Sequence, residues 1–277
     1  MENLHNRSGM PRLIGNEPPD LRRAITERYT SIAENALQTC TDSGNPVSSD
    51  PVSASGLSGP SDAKTLYTSE EIHSVPGAVV AASSGCGNPT AIAQLNPGET
   101  VLDLGSGGGL DCFLAAREVG LTGTVIGVDM TPAMINLAQK NAAILQAHNV
   151  AFKLSHVESI PEPDDTIDVI ISNCVINLVP NKRAVFTEAF RVLSDGGRLC
   201  VSDIVVTREL PLRIQTDLTS WTGCIAGALL QDAFIEEMAA VGFQDIEIVS
   251  SVPAQTLTQE PWTEALRSVS VKALKRA

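Results

Sequence analysis

Three cysteines stand out by where they sit. Cys86 lies in Ser83-Ser84-Gly85-Cys86-Gly87-Asn88-Pro89, a loop whose glycines let the backbone come close to a ligand. Cys174 stands one residue beyond the apolar run 166–172, after Asn173, and Cys224 lies in Trp221-Thr222-Gly223-Cys224-Ile225-Ala226-Gly227. Three converging thiolates make a site for a soft metalloid. Spacing alone leaves them equally readable as three unrelated cysteines. A structural zinc site fits poorly, because there is no C-x-x-C pair and a fourth ligand is normally needed. A lone cysteine nucleophile would use one thiol and a base, leaving two thiols unexplained. Cys112 and Cys200 fall inside a helix and a strand and read as small core hydrophobes. Six cysteines without paired spacing or a secretion signal point to reduced thiols.

The elements that must position these residues follow from the apolar pattern. Runs at 100–104, 124–129, 149–154, 166–172 and 197–205 read as buried strands, and the segments between the first four, with 181–193, read mostly as helices. That alternation predicts an α/β fold with a doubly wound, mostly parallel sheet. Ligands of such sheets bind at the carboxyl ends of the strands, so topology brings all three cysteines to one end. Residues 20–37 carry apolar positions at helical spacing with Asp20 as N-cap, and 41–62 has the Ser, Pro, Gly and Asp content of a mobile linker or lid. After Val205 the pattern predicts a helical insertion at 214–229, a helix at 231–241, a strand at 244–250 and a final alternating run, 269–273. The expected division is 1–65, helix and linker; 66–205, cofactor-binding core; and 206–277, an insertion with the strands that complete the sheet.

Val101-Leu102-Asp103-Leu104-Gly105-Ser106-Gly107-Gly108-Gly109 ends a strand and opens a helix. Its glycines are spaced G-x-G-x-G, unlike the G-x-G-x-x-G of dinucleotide binders. Such a loop can lie beneath an uncharged sugar and the amino-acid tail of a small cofactor. Asp103, Gly105, Ser106 and Gly107 are candidate contacts. Asp129, ending the second strand beside Met130, is placed for its carboxylate to accept from ribose hydroxyls. This order of strand, loop, helix, strand and acid resembles class I S-adenosylmethionine-dependent methyltransferases, with Rossmann-like sheets. The resemblance implies S-adenosylmethionine as cofactor. It also implies an adenine loop after the third strand, where Val157 and Glu158 are candidates. Asn173, at the end of the fourth strand, completes the candidate set.

Composition narrows the partners. The 32 acidic against 19 basic residues give a formal charge of −13, the wrong sign for nucleic acid. No apolar run approaches ~18 residues, so no membrane helix is expected. The first residues, Met1 to Arg7, lack a signal-peptide core. A cytoplasmic enzyme working as a monomer is expected.

A narrower resemblance rests on Tyr67-Thr68-Ser69-Glu70-Glu71, Gly85-Cys86-Gly87-Asn88-Pro89, Val128-Asp129-Met130-Thr131-Pro132, Ser172-Asn173-Cys174-Val175-Ile176-Asn177 and Gly223-Cys224-Ile225-Ala226-Gly227-Ala228. These stretches resemble the arsenite S-adenosylmethionine methyltransferases. The resemblance implies that Cys86, Cys174 and Cys224 hold trivalent arsenic as thiolates and that methyl groups pass to it in successive rounds. It implies arsenite and methylated arsenicals as ligands, with a thiol reductant such as glutathione or thioredoxin. Some members carry a further N-terminal cysteine, a position Cys40 could fill. Arsenic binding consumes thiol protons, so lowered thiol pKa values are expected to aid it. Two other readings remain. One is a methyltransferase of a small organic acceptor, and the other a non-catalytic metalloid-binding thiol protein.

Overall fold

The computed structural model describes residues 19–41, 63–254 and 260–276. The linker 42–62 and residues 1–18 lie outside it, as does the side chain of Cys40. Helices α1 (Pro19–Thr41), α2 (Ala63–Leu66), α3 (Ser69–His73), α4 (Gly77–Ala81) and α5 (Pro89–Ala93) precede strand β1 (Thr100–Leu104). The chain then alternates through α6 (Leu110–Val119), β2 (Thr124–Asp129), α7 (Pro132–Leu145), β3 (Val150–Leu154) and β4 (Ile167–Asn173). Helix α8 (Lys182–Val192) leads into β5 (Leu193–Val206). Two short helices, α9 (Leu212–Gln215) and α10 (Leu218–Thr222), precede α11 (Gln231–Val241), β6 (Gln244–Pro253) and β7 (Leu266–Leu274).

The seven strands are ordered β3-β2-β1-β4-β5-β7-β6, with β7 antiparallel to both neighbours and the remaining pairs parallel. The doubly wound, mostly parallel sheet expected from the alternation is what forms. Its central strands are apolar because helices cover both faces: Val101, Leu102, Val125, Val169, Ile170 and Ile171 are all buried. Strand order reverses between β1 and β4, whose carboxyl ends are therefore neighbours with the connecting helices leaving in opposite directions. That is where open sheets bind ligands. The glycine loop follows β1, and Asn173 and Cys174 end β4.

Two expectations need correction, and the segments between the first four strands are mostly helical, as expected, with one exception. No helix joins β3 to β4; Pro161 and Pro163 remove backbone donors and keep 155–166 irregular. The insertion at 214–229 is not one helix. The Asp217 carboxylate caps a new start at α10 by accepting from Ser220 N (2.7 Å), and Gly223 ends that helix one turn later. Asp20 sits within the first turn of α1, which opens at Pro19, and pairs there with Arg23 (2.9 Å). Helix α1 packs on α4, α7 and α10 and so roofs the switch point. Among the described residues no helix is long and apolar enough to cross a membrane.

The loop after α10 is seated tightly on the turn after β4. A side chain at Gly227 would collide with the Asn177 carbonyl and stand 2.7 Å from the Trp221 ring. Backbone cannot yield as a flexible side chain can, so Gly227→Ala should lower stability by about 1–3 kcal/mol. A denaturant midpoint equal to that of the parent would show that this loop is not locked.

Candidate functional site

The glycine loop is tied to β2 before it meets any ligand. Gly105 N and Ser106 N both donate to Val128 O, at 2.8 and 3.0 Å. Gly105 (φ 70°) adopts left-handed backbone against the Val175 side chain, where a Cβ would not fit. The Asp129 carboxylate accepts from Gly107 N (3.0 Å) and Thr131 N (2.8 Å), which fixes its plane and leaves each oxygen further acceptor capacity. Burial raises the Asp129 pKa, against the pull of those amides.

These groups border a cleft whose empty space, part of it open to solvent, is about 1010 Å³. All nine cofactor candidates line it: Asp103, Gly105, Ser106 and Gly107 from the β1 end, Asp129 and Met130 from β2, Val157 and Glu158 after β3, and Asn173 after β4. Cys174 also lines it; Cys86 and Cys224 do not, but one is bridged to Cys174 and the other donates to its carbonyl. Ser106 Oγ is buried with no partner, an acceptor and donor awaiting a ligand. Helix α1 contributes Arg22, Ile25 and Tyr29 to the roof, and Arg22 pairs with Glu158 (3.0 Å) across the cleft mouth.

Asn173 is the link between cleft and cysteines. Its Oδ1 accepts from Cys86 N (2.9 Å) and Gly87 N (3.3 Å). Its Nδ2 faces Gly87 O (2.8 Å), Tyr67 Oη (3.0 Å) and Asp111 Oδ2 (3.2 Å). Tyr67 in turn donates to Asp111 Oδ1 (2.8 Å). The carboxamide is thus occupied with the Cys86 loop while its residue borders the cleft. Burial pushes the Asp111 carboxyl up to about 6, although Tyr67 and Asn173 pull it down, and it raises Asp103 with help from the nearby Asp111 charge.

The three candidate cysteines do meet. Cys86 and Cys174 form a disulfide with their Cα atoms 6.0 Å apart, within the usual bridging range. The expectation of reduced thiols throughout fails for this pair, because the β4 terminus and the 85–87 loop, joined by Asn173, hold the two sulfurs side by side. The Cys224 thiol, free and buried, donates to Cys174 O (2.9 Å). Cys174 (φ 57°) and Cys224 (φ 61°) both hold left-handed backbone, uncommon for side-chain-bearing residues and frequent where function requires strain. Around them pack Leu21 and Ile25 of α1 with Leu178, Ile204 and Ile225. In that apolar shell burial, then the Asp203 charge, pushes the Cys224 thiol up to about 12, against a hydrogen bond with Tyr29. The lowered thiol pKa anticipated from sequence is therefore not found at Cys224. Cys112 and Cys200 are buried, as expected of core cysteines.

A family model described as a methyltransferase domain matches residues 95–260. The arsenite methyltransferase of Halobacterium salinarum is 46% identical over 84% of this chain and 59% of its own length. The human arsenite methyltransferase is 38% identical over 54% of this chain and 43% of its own. A crystal structure of an arsenic(III) S-adenosylmethionine methyltransferase from Chlamydomonas reinhardtii superposes with a TM-score of 0.62 at 33% identity, covering 79% of this chain and 75% of that one. The chain belongs to the arsenite methyltransferase family. It spans well under two thirds of the length of those two curated relatives.

Several residues of this arsenite methyltransferase family member escaped the sequence reading. Arg22 and Tyr29 enter the site from a helix distant in sequence, with no local motif to mark them. Asp203 sits inside a strand whose apolar pattern hides it, and Lys182 opens α8 like any surface lysine yet is buried. Asp111 could have been found, since an acid in the first turn of the helix after a glycine loop faces the cleft. The Asp103–Asp111 pair favours its protonated form when folded. Its contribution to stability is therefore present below the unfolded pKa near 3.8 and lost as pH rises through about 6, for Asp111 on the order of 3 kcal/mol. Asp111→Asn should flatten stability between pH 4 and 8 relative to the parent, read from denaturant unfolding at each pH; parallel curves would refute the assignment.

Proposed function

We propose that this chain methylates trivalent arsenic with S-adenosylmethionine, and that Cys86, Cys174 and Cys224 are the arsenic ligands. The observation that carries the reading is the position of Cys174, which borders the cleft, bridges to Cys86 and receives the Cys224 thiol on its carbonyl. A metalloid held there lies against the end of the cofactor cleft.

The cleft residues fit the cofactor. Asp129 would accept from the ribose hydroxyls, Ser106 Oγ would gain the partner it lacks, and Val157 and Glu158 would flank the base. The amino-acid tail would lie over Gly105 and Gly107, near Asp103. When bound, S-adenosylmethionine supplies an electrophilic methyl group, which the lone pair of arsenic can attack without a general base.

The residues of the chain do the rest by placement and proton balance. Reduction of Cys86–Cys174 by a thiol reductant such as glutathione or thioredoxin consumes two electrons and two protons and frees both ligands. Arsenous acid then exchanges three hydroxyls for three sulfurs; each thiol proton leaves with a hydroxyl as water. Because no free thiolate has to accumulate, a Cys224 pKa near 12 does not block binding. Positioning carries the catalysis, and well-oriented reactants can gain ~7–11 kcal/mol. Leu21, Ile25 and Leu178 keep water from the sulfurs. Each transfer would break the methyl–sulfonium bond, release S-adenosylhomocysteine and leave arsenic oxidised by two electrons. Two thiols of the same reductant would return it to the trivalent state as they form their own disulfide, so methylated arsenicals are the expected products.

The test is arsenic speciation after incubation with arsenite, S-adenosylmethionine and excess thiol. Methylated arsenicals should form and vanish when the cofactor is omitted. Cys174→Ser and Cys224→Ser should each abolish methylation while cofactor binding persists. Near-normal turnover by either variant would refute the three-thiol site and favour an organic acceptor. Arsenite binding without any methylated product would mark a thiol-binding protein instead.

A further inference from the structure

A buried carboxylate stands against the cysteines without a part in methyl transfer. Asp203 in β5 is fully buried, and a carboxylate oxygen lies within 4.8 Å of the sulfurs of both Cys86 and Cys174. Ile204 N (2.8 Å) and Asn177 N (3.2 Å) donate to it and fix its orientation. Buried charges in proteins are paired or bind a cation. Three sulfurs satisfy soft arsenic, leaving no use for a hard oxygen ligand. Zinc is borderline-soft, combines sulfur and oxygen in one shell, and outside structural sites takes three protein ligands with the fourth position open.

We propose that, once the Cys86–Cys174 disulfide is reduced, those two thiolates and Asp203 together hold one zinc-class divalent cation, which competes with arsenic for the same sulfurs. The site shares two residues with the proposed arsenic site but does not depend on methyl transfer. A trialkyl phosphine and water open the disulfide, giving phosphine oxide and two thiols; the cation then displaces the two thiol protons to solvent. Two thiolates and a carboxylate leave the dication with one excess negative charge. Lys182, buried nearby and electrostatically coupled to both Asp203 and Cys224, offsets it. Water or Cys224 can take the fourth position. The chain would then be sensitive to zinc availability, with zinc withholding the site until arsenic displaces it.

Phosphine-reduced full chain, freed of reductant under anaerobic conditions, is titrated with zinc against a chromophoric chelator. One zinc per chain is expected in the parent, none in Cys86→Ser/Cys174→Ser, and binding weaker by about tenfold or more in Asp203→Asn. Arsenite binding should persist in Asp203→Asn. No zinc in the parent, or undiminished affinity in Asp203→Asn, overturns the proposal. X-ray absorption on the zinc-loaded parent decides independently of how that variant folds. Oxygen at about 2.0–2.2 Å beside sulfur at about 2.3 Å is expected, and a shell of sulfur alone overturns it. Zinc binding without arsenic methylation would remove the arsenic reading and leave this one, while methylation without zinc binding would do the reverse.

Discussion

The carboxamide of Asn173 is the interaction on which the site depends. It sits at the sheet's switch point, where β4 ends beside the glycine loop of β1, and spends both ends on other elements. One end takes the amides of Cys86 and Gly87; the other gives to Gly87, Tyr67 and Asp111. The loop carrying Cys86 comes from far upstream and has no strand of its own. That carboxamide holds the loop against the end of β4, where Cys86 can reach Cys174. Ser268 Oγ adds a second anchor by donating to Cys86 O (2.6 Å). The space is shaped to this arrangement: a Cβ at Gly85 would strike Asn173, and one at Gly87 would strike Ser202.

Pinning a loop this way concentrates cost. Two cysteines hold left-handed backbone, two acids are buried near each other, and Asp203 and Lys182 are enclosed with the three cysteines. Strain of this kind costs on the order of 1–3 kcal/mol per residue and persists only where surrounding structure over-determines it. The helices, the seven-stranded sheet and the α1 roof supply that surplus. Burial then acts in one direction on these enclosed groups: it favours neutral forms, raising Asp111, Asp203 and Cys224 and lowering Lys182 to about 8.

Much of this was legible in the residues, and the reasons for the misses are physical. Strand runs such as Thr100–Leu104 announce themselves because a parallel sheet buried on both faces must be continuously apolar. The glycine loop and Asp129 fall in a fixed order along one β-α-β unit, so local sequence carries them. The pairing of Cys86 with Cys174 does not follow from sequence, because 88 positions separate them and tertiary contacts through Asn173 and Ser268 close the gap. The segments between strands read mostly as helices, which holds for 110–119 and 132–145, while Pro161 and Pro163 keep 155–166 a loop. Arg22, Tyr29 and Asp203 were missed for a common reason: each acts through a tertiary contact that periodicity cannot report.

The raised Cys224 pKa bears on how the proposed arsenic site would be loaded. A route through free thiolates would require desolvating three negative charges in an apolar shell already close to Asp203, at a cost of several kcal/mol per ion. Ligand exchange with arsenous acid avoids this, since each arsenic–sulfur bond forms as one water leaves and no net charge enters. A zinc-class dication is the opposite case, because it demands thiolates and repays them with its own charge. Under the two proposals the same enclosed pocket would separate its ligands by charge balance: the neutral metalloid would need only sulfur, and the cation would need Asp203 to complete its shell and Lys182 to settle the remaining charge.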